Sequence, residues 1–488
     1  MKTLHDLLGA PAHGRAVRVV GDEYRSIETI VTDSRRARPG ALFVALTGER
    51  LDARAFIPEA VRNGVSAIAV NELDEAALRD PALADVSVAI VGDTRRWLSR
   101  FAVAFYDDPA RDLDIVGVTG TNGKTTTIQM VAAILDAAGK PCGTIGTIGA
   151  HFGTRTQPIE NTTPFAHDLH AFFAQMRDDG ARAVALEVSS HSLELDRVAD
   201  VPFAVGAFTN LTRDHLDFHH TIEAYARAKH KLFEASARCV FNVDDAYGKA
   251  WAAEFAPMRP VLTYSLSGGA DLVATQIDSR AGGSTFSLDG MRFEVKIAGR
   301  FNVANALCAI ACARLLGVDD ATAARGLAAL DRVAGRMERV PGDVEVVVDY
   351  SHTPDSLDNA LRALRPSTRG RLTVVFGCGG DRDRGKRAQM GEIAARLADG
   401  IYVTSDNPRG EDPQAIADEI LGGIGTHERV VELDRRVAIR TAIARAAPGD
   451  AVLIAGKGHE TYQIVGSEVL PFDDAAVARE ALAERGTG

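Results

Sequence analysis

Cysteine is scarce in this chain: five in 488 residues, an odd number scattered at positions 142, 239, 308, 312 and 378. So thin and irregular a supply builds no disulfide framework, and it fits a reducing compartment. Cys308 and Cys312 stand four apart inside the apolar run Ala304–Leu316, and no second ligand pair of metal-site spacing follows. They read as core thiols. No apolar run is long enough to span a bilayer. Met1–Ala12 has neither a basic start nor a long apolar centre, so no signal peptide is expected. The expected location is the cytoplasm. Positive charge is in deficit, with 55 Lys and Arg against 66 Asp and Glu and a net charge of −11. That disfavours broad binding to nucleic acid or a membrane surface. Anionic ligands would then need basic residues gathered in one place, as they are at Arg382–Arg387. Internal repeats and low-complexity tracts are absent too.

What is present is the composition of a globular protein, 46% apolar and 25% charged. The length exceeds what one core serves, so two to four domains are expected. Three segments separate on pattern. The first, 1–97, carries β-like runs at Ala16–Val20, Ala41–Leu46 and Ser66–Val70, with a helix near Phe56–Asn63. The second, 98–337, has strands at Leu113–Thr119, Ala183–Val188, Ala204–Phe208 and Cys239–Val243. Its helices are Thr125–Ala138, Ile222–Ala235 and Asn302–Leu316. The third, 338–488, alternates strands (Val344–Val348, Leu372–Phe376, Ile401–Thr404, Ala451–Ala455) with helices (Ser356–Leu364, Gly385–Leu397, Pro413–Leu421, Arg435–Ala446). Strands alternating with helices predict an α/β protein of three domains. The central one is a P-loop ATPase-like parallel sheet and the last is Rossmann-like. Arg336–Val340 is the expected hinge between them.

The strongest local signal is the strand that runs into Gly120-Thr-Asn-Gly-Lys-Thr-Thr126. Gly120 and Gly123 let the backbone turn tightly, so that N–H groups of Thr121 and Asn122 face phosphate oxygens. The following helix adds its positive end. Lys124 can reach β- and γ-phosphates, Thr125 can ligate Mg²⁺, and Thr126 continues the turn. The strict Walker pattern is not met, because position 118 is Val and the nearest glycine is Gly117.

This loop resembles that of the Mur ligase family, and the resemblance extends over essentially the whole chain, with motifs in each domain. It implies ATP-dependent activation of a carboxylate as an acyl phosphate, which an amine then attacks. Glu187, in Glu187-Val-Ser-Ser-His191, matches the family's metal-binding glutamate. His215, in Asn210-Leu-Thr-Arg-Asp-His-Leu-Asp217, matches its metal-binding histidine. The family's carbamylated lysine falls on Lys229; by its own surroundings, Lys231 is an equal candidate. Thr125, Glu187, His215 and carbamylated Lys229 are thus the implied Mg²⁺ ligands, and Lys124, Lys229, His215 and Glu187 the implied catalytic groups. Asn302, with Asn305 beside it, Arg336 and Asp349 are implied contacts to ATP. A UDP-MurNAc-L-Ala-D-Glu substrate is implied at Thr32 and Ser34 (uridine end) and at Asn161, Thr162, Thr163, Ser189 and Arg197 (peptide arm). Leu195 stands where the family commonly has glutamine.

Three loops of the third segment, each after a strand, carry Arg382, then Asp406-Asn407-Pro408-Arg409, then Gly456 and Glu460. Arginine forks suit carboxylates and the acids suit ammonium groups. The resemblance implies meso-diaminopimelate as the amine, since the family's lysine-adding members lack that arginine. A monomer without nucleic-acid partner or membrane insertion is expected.

Overall fold

The computed structural model describes residues 2–9, 17–48, 52–74, 76–280 and 282–485. Ala16 of the first expected strand, and Met1 and 10–12 of the amino terminus, lie outside the described residues. The chain forms two compact units. One comprises Met1–Gly117, Pro141–Ala204 and Glu234–Ser236; the other comprises Val118–Lys140, Val205–Phe233 and Ala237–Gly488.

In the first unit a five-stranded sheet runs in the order Arg18–Val20, Ser87–Ile90, Ala67–Val70, Ala41–Val44, Thr29–Val31. Only the Arg18–Val20 edge is antiparallel. Ala41–Val44 and Ala67–Val70 are wholly buried, the mark of a sheet covered on both faces. The expected helix near Phe56–Asn63 is Ile57–Arg62, entered through a 3₁₀ turn at Ala53–Phe56. Asp93 starts Thr94–Phe105 by accepting from the N–H groups of Arg95 (3.1 Å) and Arg96 (3.2 Å). Farther along, Cys142–Gly146 pairs in parallel with Ala183–Glu187 and antiparallel with Gly149–Phe152.

In the second unit Phe203–Phe208, which belongs to it from Val205 on, is followed in parallel register by Cys239–Asn242, Val261–Ser265 and Leu272–Val273. Arg300–Leu315 is buried along most of its length, including Cys308 and Cys312; all five cysteines are buried. A three-stranded antiparallel sheet, Thr275–Arg280, Gly283–Leu288 and Met291–Val295, has no counterpart in the sequence reading. The carboxyl-terminal sheet runs Glu338–Val340, Glu345–Asp349, Ala451–Ala455, Leu372–Phe376, Gly400–Val403, Val430–Val431. All its neighbours are parallel except the first pair. Val346, Val348, Val375, Val452 and Ile454 fill its core, each burial contributing about 1.5–3 kcal/mol. The segment expected as a hinge is different: Glu338–Val340 is an edge strand of this sheet, bonded to Val346–Val348. Three charged or polar side chains in five residues disguise it.

The helices of this sheet begin with short polar caps. Thr353 and Ser356 form a capping box ahead of Pro354–Leu364, Asp412 precedes Pro413–Ile424, and Asp434 precedes Arg435–Arg445. Arg435 also forms a two-pronged ion pair with Asp474 (2.8 and 2.7 Å), both side chains wholly buried. Removing one partner of such a pair leaves an uncompensated buried charge, at a cost of about 3–5 kcal/mol. Asp474→Ala should therefore lower the urea midpoint of the unfolding transition sharply. Replacing both residues by apolar ones should recover most of the loss. A single variant as stable as wild type would show that the pair contributes nothing net.

Candidate active site

The strand Asp114–Thr119 ends at Gly120, and the helix Lys124–Ala137 begins after Gly123. Glycine is required at both places. Gly120 has φ 151° and a Cβ there would collide with Thr209 Oγ1; Gly123 has φ 87° and its Cβ would collide with Asn305 Oδ1. The loop between them is shaped from outside. Thr121 N–H donates to the Asn210 carbonyl (2.8 Å) and Asn122 N–H to Asn210 Oδ1 (3.0 Å). The Thr209 hydroxyl donates to the Asn122 carbonyl (2.6 Å), and Asn122 Nδ2 donates to Asp355 Oδ2 (2.7 Å). Thr121 and Asn122, expected to offer their amides to phosphate, thus have those amides engaged by Asn210. Lys124 Nζ donates to the carbonyls of Gly120 (3.0 Å) and Thr121 (2.9 Å). Thr125 and Thr126, both buried, occupy the first helical turn, whose amides have no partner within the helix.

Arg336 donates through Nη2 to Thr125 Oγ1 (2.9 Å), and its guanidinium carbon lies 4.4 Å from the centre of the Tyr350 ring. Asp349 does not face outward. It is buried, accepts from Met337 N–H (2.7 Å) and the Ser351 hydroxyl, and holds the left-handed Met337 (φ 46°) next to Arg336. Burial raises its carboxyl pKa. Asn302 likewise faces inward, donating to the Ala298 carbonyl (2.7 Å) and accepting from Asn305 (3.0 Å). In this conformation Asp349 fixes the backbone beside Arg336, and Asn302 holds Asn305, which packs against Gly123.

Lys229 is only 1% exposed. Its amine donates to the Gly120 carbonyl (2.8 Å) and lies 4.5 Å from the centre of the Tyr225 ring. Burial, helped by the charge of Lys124, pushes its pKa well below the usual lysine value, which favours the neutral amine. Lys231 is exposed. A signal for this choice was in the sequence: Tyr225, Ala226, Ala228, Lys229, Leu232 and Phe233 fall on one helical face. His215 sits at φ 54° with Nε2 3.3 Å from Asp214 Oδ2. Burial alone would raise the Asp214 carboxyl. The charges of His215, Lys386 and His352, with the His215 N–H (2.9 Å), outweigh it and hold that carboxyl below the usual range.

The first unit gathers a second set. Glu187 ends the strand Ala183–Glu187 and accepts from Thr147 N–H (2.8 Å) and the Thr147 hydroxyl (3.1 Å). A Cβ at Gly146 would run into its carboxylate. Thr147 also meets Thr162 (3.3 Å). Thr163 donates to the Glu187 carbonyl (2.8 Å) and accepts from Ser189 N–H (3.1 Å). Arg197 donates to the Thr163 carbonyl (3.0 Å) and lies over the Phe165 ring at 4.3 Å. Burial lowers its pKa to about 10, with a contribution from the charge of Arg95, and its Nε has no partner among the described residues. A half-buried guanidinium with no acid paired to it among the described residues suits an anionic ligand. Leu195 closes the short helix Ser190–Glu194, its N–H bonded to the His191 carbonyl (2.8 Å). Asn161 lies in the loop before the helix Ala166–Asp178, and Thr32 just after the strand Thr29–Val31. Ser34 donates to Glu59 Oε2 (2.5 Å).

In the carboxyl-terminal sheet the loops after Leu372–Phe376, Gly400–Val403 and Ala451–Ala455 meet, because their three strands are neighbours. Contact is possible only with glycine at several points. A Cβ on Gly377 would strike the Thr404 carbonyl, and one on Gly380 the Pro408 carbonyl. One on Gly456, at φ 117°, would lie 2.5 Å from Asp406 Oδ2. Arg409 has φ 52°, and its Nη1 donates to the Gly380 carbonyl (2.9 Å). Arg382 donates to the Asp381 carbonyl (2.9 Å); burial and then the charge of Arg409 lower its pKa. Asp406 is buried, and Asn407 Nδ2 donates to Glu460 Oε2 (2.8 Å). The structure therefore brings Arg382, Asp406, Asn407, Pro408, Arg409, Gly456 and Glu460 together, as the sequence led us to expect. The two guanidiniums, of Arg382 and Arg409, thus lie near enough for the charge of Arg409 to act on Arg382.

The chain matches three family descriptions in succession: the Mur ligase family catalytic domain over 26–106, the Mur ligase middle domain over 118–313, and the Mur ligase glutamate ligase domain over 335–458. It belongs to the Mur ligase family, ATP-dependent enzymes that join a carboxylate to an amine. Among its relatives, a protein of Gloeobacter violaceus is 45% identical over 94% of each chain. One of Synechococcus elongatus is 46% identical over 94% of this chain and 95% of its own. Both are named UDP-N-acetylmuramoyl-L-alanyl-D-glutamate–2,6-diaminopimelate ligase. A solved structure of the same name is 32% identical, covers 99% of each chain and has a TM-score of 0.67.

The phosphate loop yields a direct test. Gly120→Ala forces an L-residue into a backbone region costing about 1–3 kcal/mol, and collides with Thr209 as well. ATP affinity should fall roughly 5- to 140-fold at 1.4 kcal/mol per tenfold, as measured by equilibrium titration. An unchanged dissociation constant would take this loop out of the nucleotide site.

Proposed function

We propose that this chain joins meso-2,6-diaminopimelate to UDP-MurNAc-L-Ala-D-Glu in the synthesis of peptidoglycan precursor, acting as a monomer in the cytoplasm. The D-Glu γ-carboxylate attacks the γ-phosphate of ATP and ADP leaves. The amine of diaminopimelate then attacks the acyl phosphate and releases phosphate. On nucleotide arrival Lys124 exchanges its two loop carbonyls for phosphate oxygens, and Arg336 moves from Thr125 toward the same charge. Asn302 and Asp349 keep the loop and Arg336 in place. Asn161, Thr162, Thr163, Ser189 and Arg197 hold the peptide arm, Thr32 and Ser34 the uridine end. Leu195 adds only apolar contact. Residues 1–97, 98–337 and 338–488 divide the work among sugar nucleotide, ATP and amino acid.

The second-unit residues fit a magnesium ion on one condition. Thr125 offers an oxygen and His215 a nitrogen, but an ammonium at Lys229 would repel the ion, whereas a carbamate would bind it. The buried, neutral amine described above is the form that reacts with CO₂. Glu187, a buried carboxylate at a strand end, is the oxygen donor that Mg²⁺ prefers. Bound magnesium neutralises charge developing on the phosphates. Lys229→Ala should lose most activity and regain part of it with added short carboxylates. ¹³CO₂ should give a carbamate NMR signal in the wild type that the variant lacks. Full activity without such a signal would end the carbamate proposal.

The observation that carries the choice of acceptor is the pair Arg382 and Arg409 on adjoining loops. Diaminopimelate differs from lysine chiefly by a second carboxylate. Lysine would leave the half-buried Arg409 guanidinium without its charged hydrogen-bond partner, at a cost of about 1.5–3 kcal/mol, roughly 10- to 140-fold at 1.4 kcal/mol per tenfold. Phosphate release with UDP-MurNAc-L-Ala-D-Glu and single amines should thus require diaminopimelate and all but ignore L-lysine. Arg409→Ala should lose most activity without gaining lysine. Comparable kcat/KM for both amino acids would overturn the acceptor assignment.

A further inference from the structure

The acceptor loops contain a buried cation that this scheme does not use. Lys457 is fully buried, and its Nζ donates to Asn407 Oδ1 (2.9 Å) and Glu460 Oε2 (3.1 Å). It also lies 5.6 Å from the centre of the Tyr462 ring. The Asn407 side-chain oxygen is saturated as a result: Oδ1 accepts from both Lys457 and Ile464 N–H (2.9 Å), while Nδ2 donates to Glu460. One oxygen of Glu460 is therefore held by Lys457 and Asn407. The other, Oε1, meets the Tyr350 hydroxyl at 3.4 Å and no second hydrogen-bond donor among the described residues.

Other charges around these loops include Asp406 and Arg409 on one neighbour, Asp381, Arg382, Lys386 and Arg387 on the other, and Arg336 beside Tyr350. Arg435, behind them, is paired with Asp474. Burial and nearby acids raise the pKa of the Tyr350 and Tyr462 phenols, so neither adds a negative charge. The pocket thus holds two acids, Asp406 and Glu460, and Lys457 offsets one of them. Without that cation the pocket would be one unit more negative. The penalty would fall hardest on the ligand with the extra carboxylate.

We propose that Lys457 is a positioning residue that sets acceptor specificity: it fixes Glu460 and Asn407, and it keeps the pocket positive enough to admit a second carboxylate. This rests on diaminopimelate being the acceptor.

Steady-state kinetics on Lys457→Met, Lys457→Gln and Lys457→Arg test it, with ATP and the UDP substrate saturating. In the Met and Gln variants KM for diaminopimelate should rise about tenfold, equivalent to 1.4 kcal/mol, with a much smaller change in kcat and none in KM for ATP. The ratio of kcat/KM for diaminopimelate to that for lysine should fall in both, and Lys457→Arg should keep it. Should the Met variant fail to fold, the Gln variant, which keeps a donor but not the charge, gives the same reading. A diaminopimelate-to-lysine ratio unchanged in the folded neutral variants would overturn the role of Lys457. A wild type that uses both amino acids equally would instead remove the acceptor assignment itself.

Discussion

A loop that must turn toward phosphate cannot satisfy its own backbone, so its shape has to be imposed from elsewhere. Here the imposing groups are Thr209 and Asn210, from the end of the next strand of the unit, and Asp355, from the start of a helix in the carboxyl-terminal sheet. Asn210 substitutes for the missing secondary structure, taking one amide with its carbonyl and the next with its side chain. In this conformation the amides of Thr121 and Asn122, expected to face phosphate, are therefore bonded by protein. Asn122 is tied to Asp355, Asp349 fixes the backbone beside Arg336, and Asn302 holds Asn305, which packs against Gly123.

The acceptor loops solve a related problem by close approach. Their strands are adjacent, so the loops crowd. Glycines at 377, 380 and 456 admit carbonyls and a carboxylate where a side chain would not fit. Behind them the buried Arg435–Asp474 pair also donates to the Ala455 carbonyl (3.0 Å), at the point where the last loop begins. Arg387, itself buried, is bound by Glu411 and Glu419 and ties the first loop's helix to the segment after Arg409. Charged groups buried behind these loops thus hold the loops that carry Arg382, Arg409 and Glu460.

Much of this was legible in the chain. Uninterrupted runs such as Leu372–Phe376 and Ala451–Ala455 read as buried parallel strands, and both have those bounds in the structure. The helices between them were read as well, Gly385–Leu397 with the bounds it has in the structure. Gly283–Leu288 went unread because only alternate side chains, Ser284, Phe286 and Leu288, are buried, and serine and threonine between them look like loop. Glu338–Val340 was missed because an edge strand needs only one buried side chain, here Val340. Within the site, residue types showed which groups could bind charge. They could not show that Asn407 is saturated by Lys457, since that depends on a hairpin, Tyr462–Pro471, folding back to bring Ile464 alongside.

The burial of Cys142, Cys239, Cys308, Cys312 and Cys378 has a practical side. Burial raises the thiol pKa of Cys239 and Cys378 to about 12, so little reactive thiolate forms there at neutral pH. A single cysteine placed on an exposed helix face would meet thiol-directed dyes well ahead of the native five. The unaltered chain is in that sense already a background for site-specific fluorescent reporters, with no prior need to remove its own sulfur.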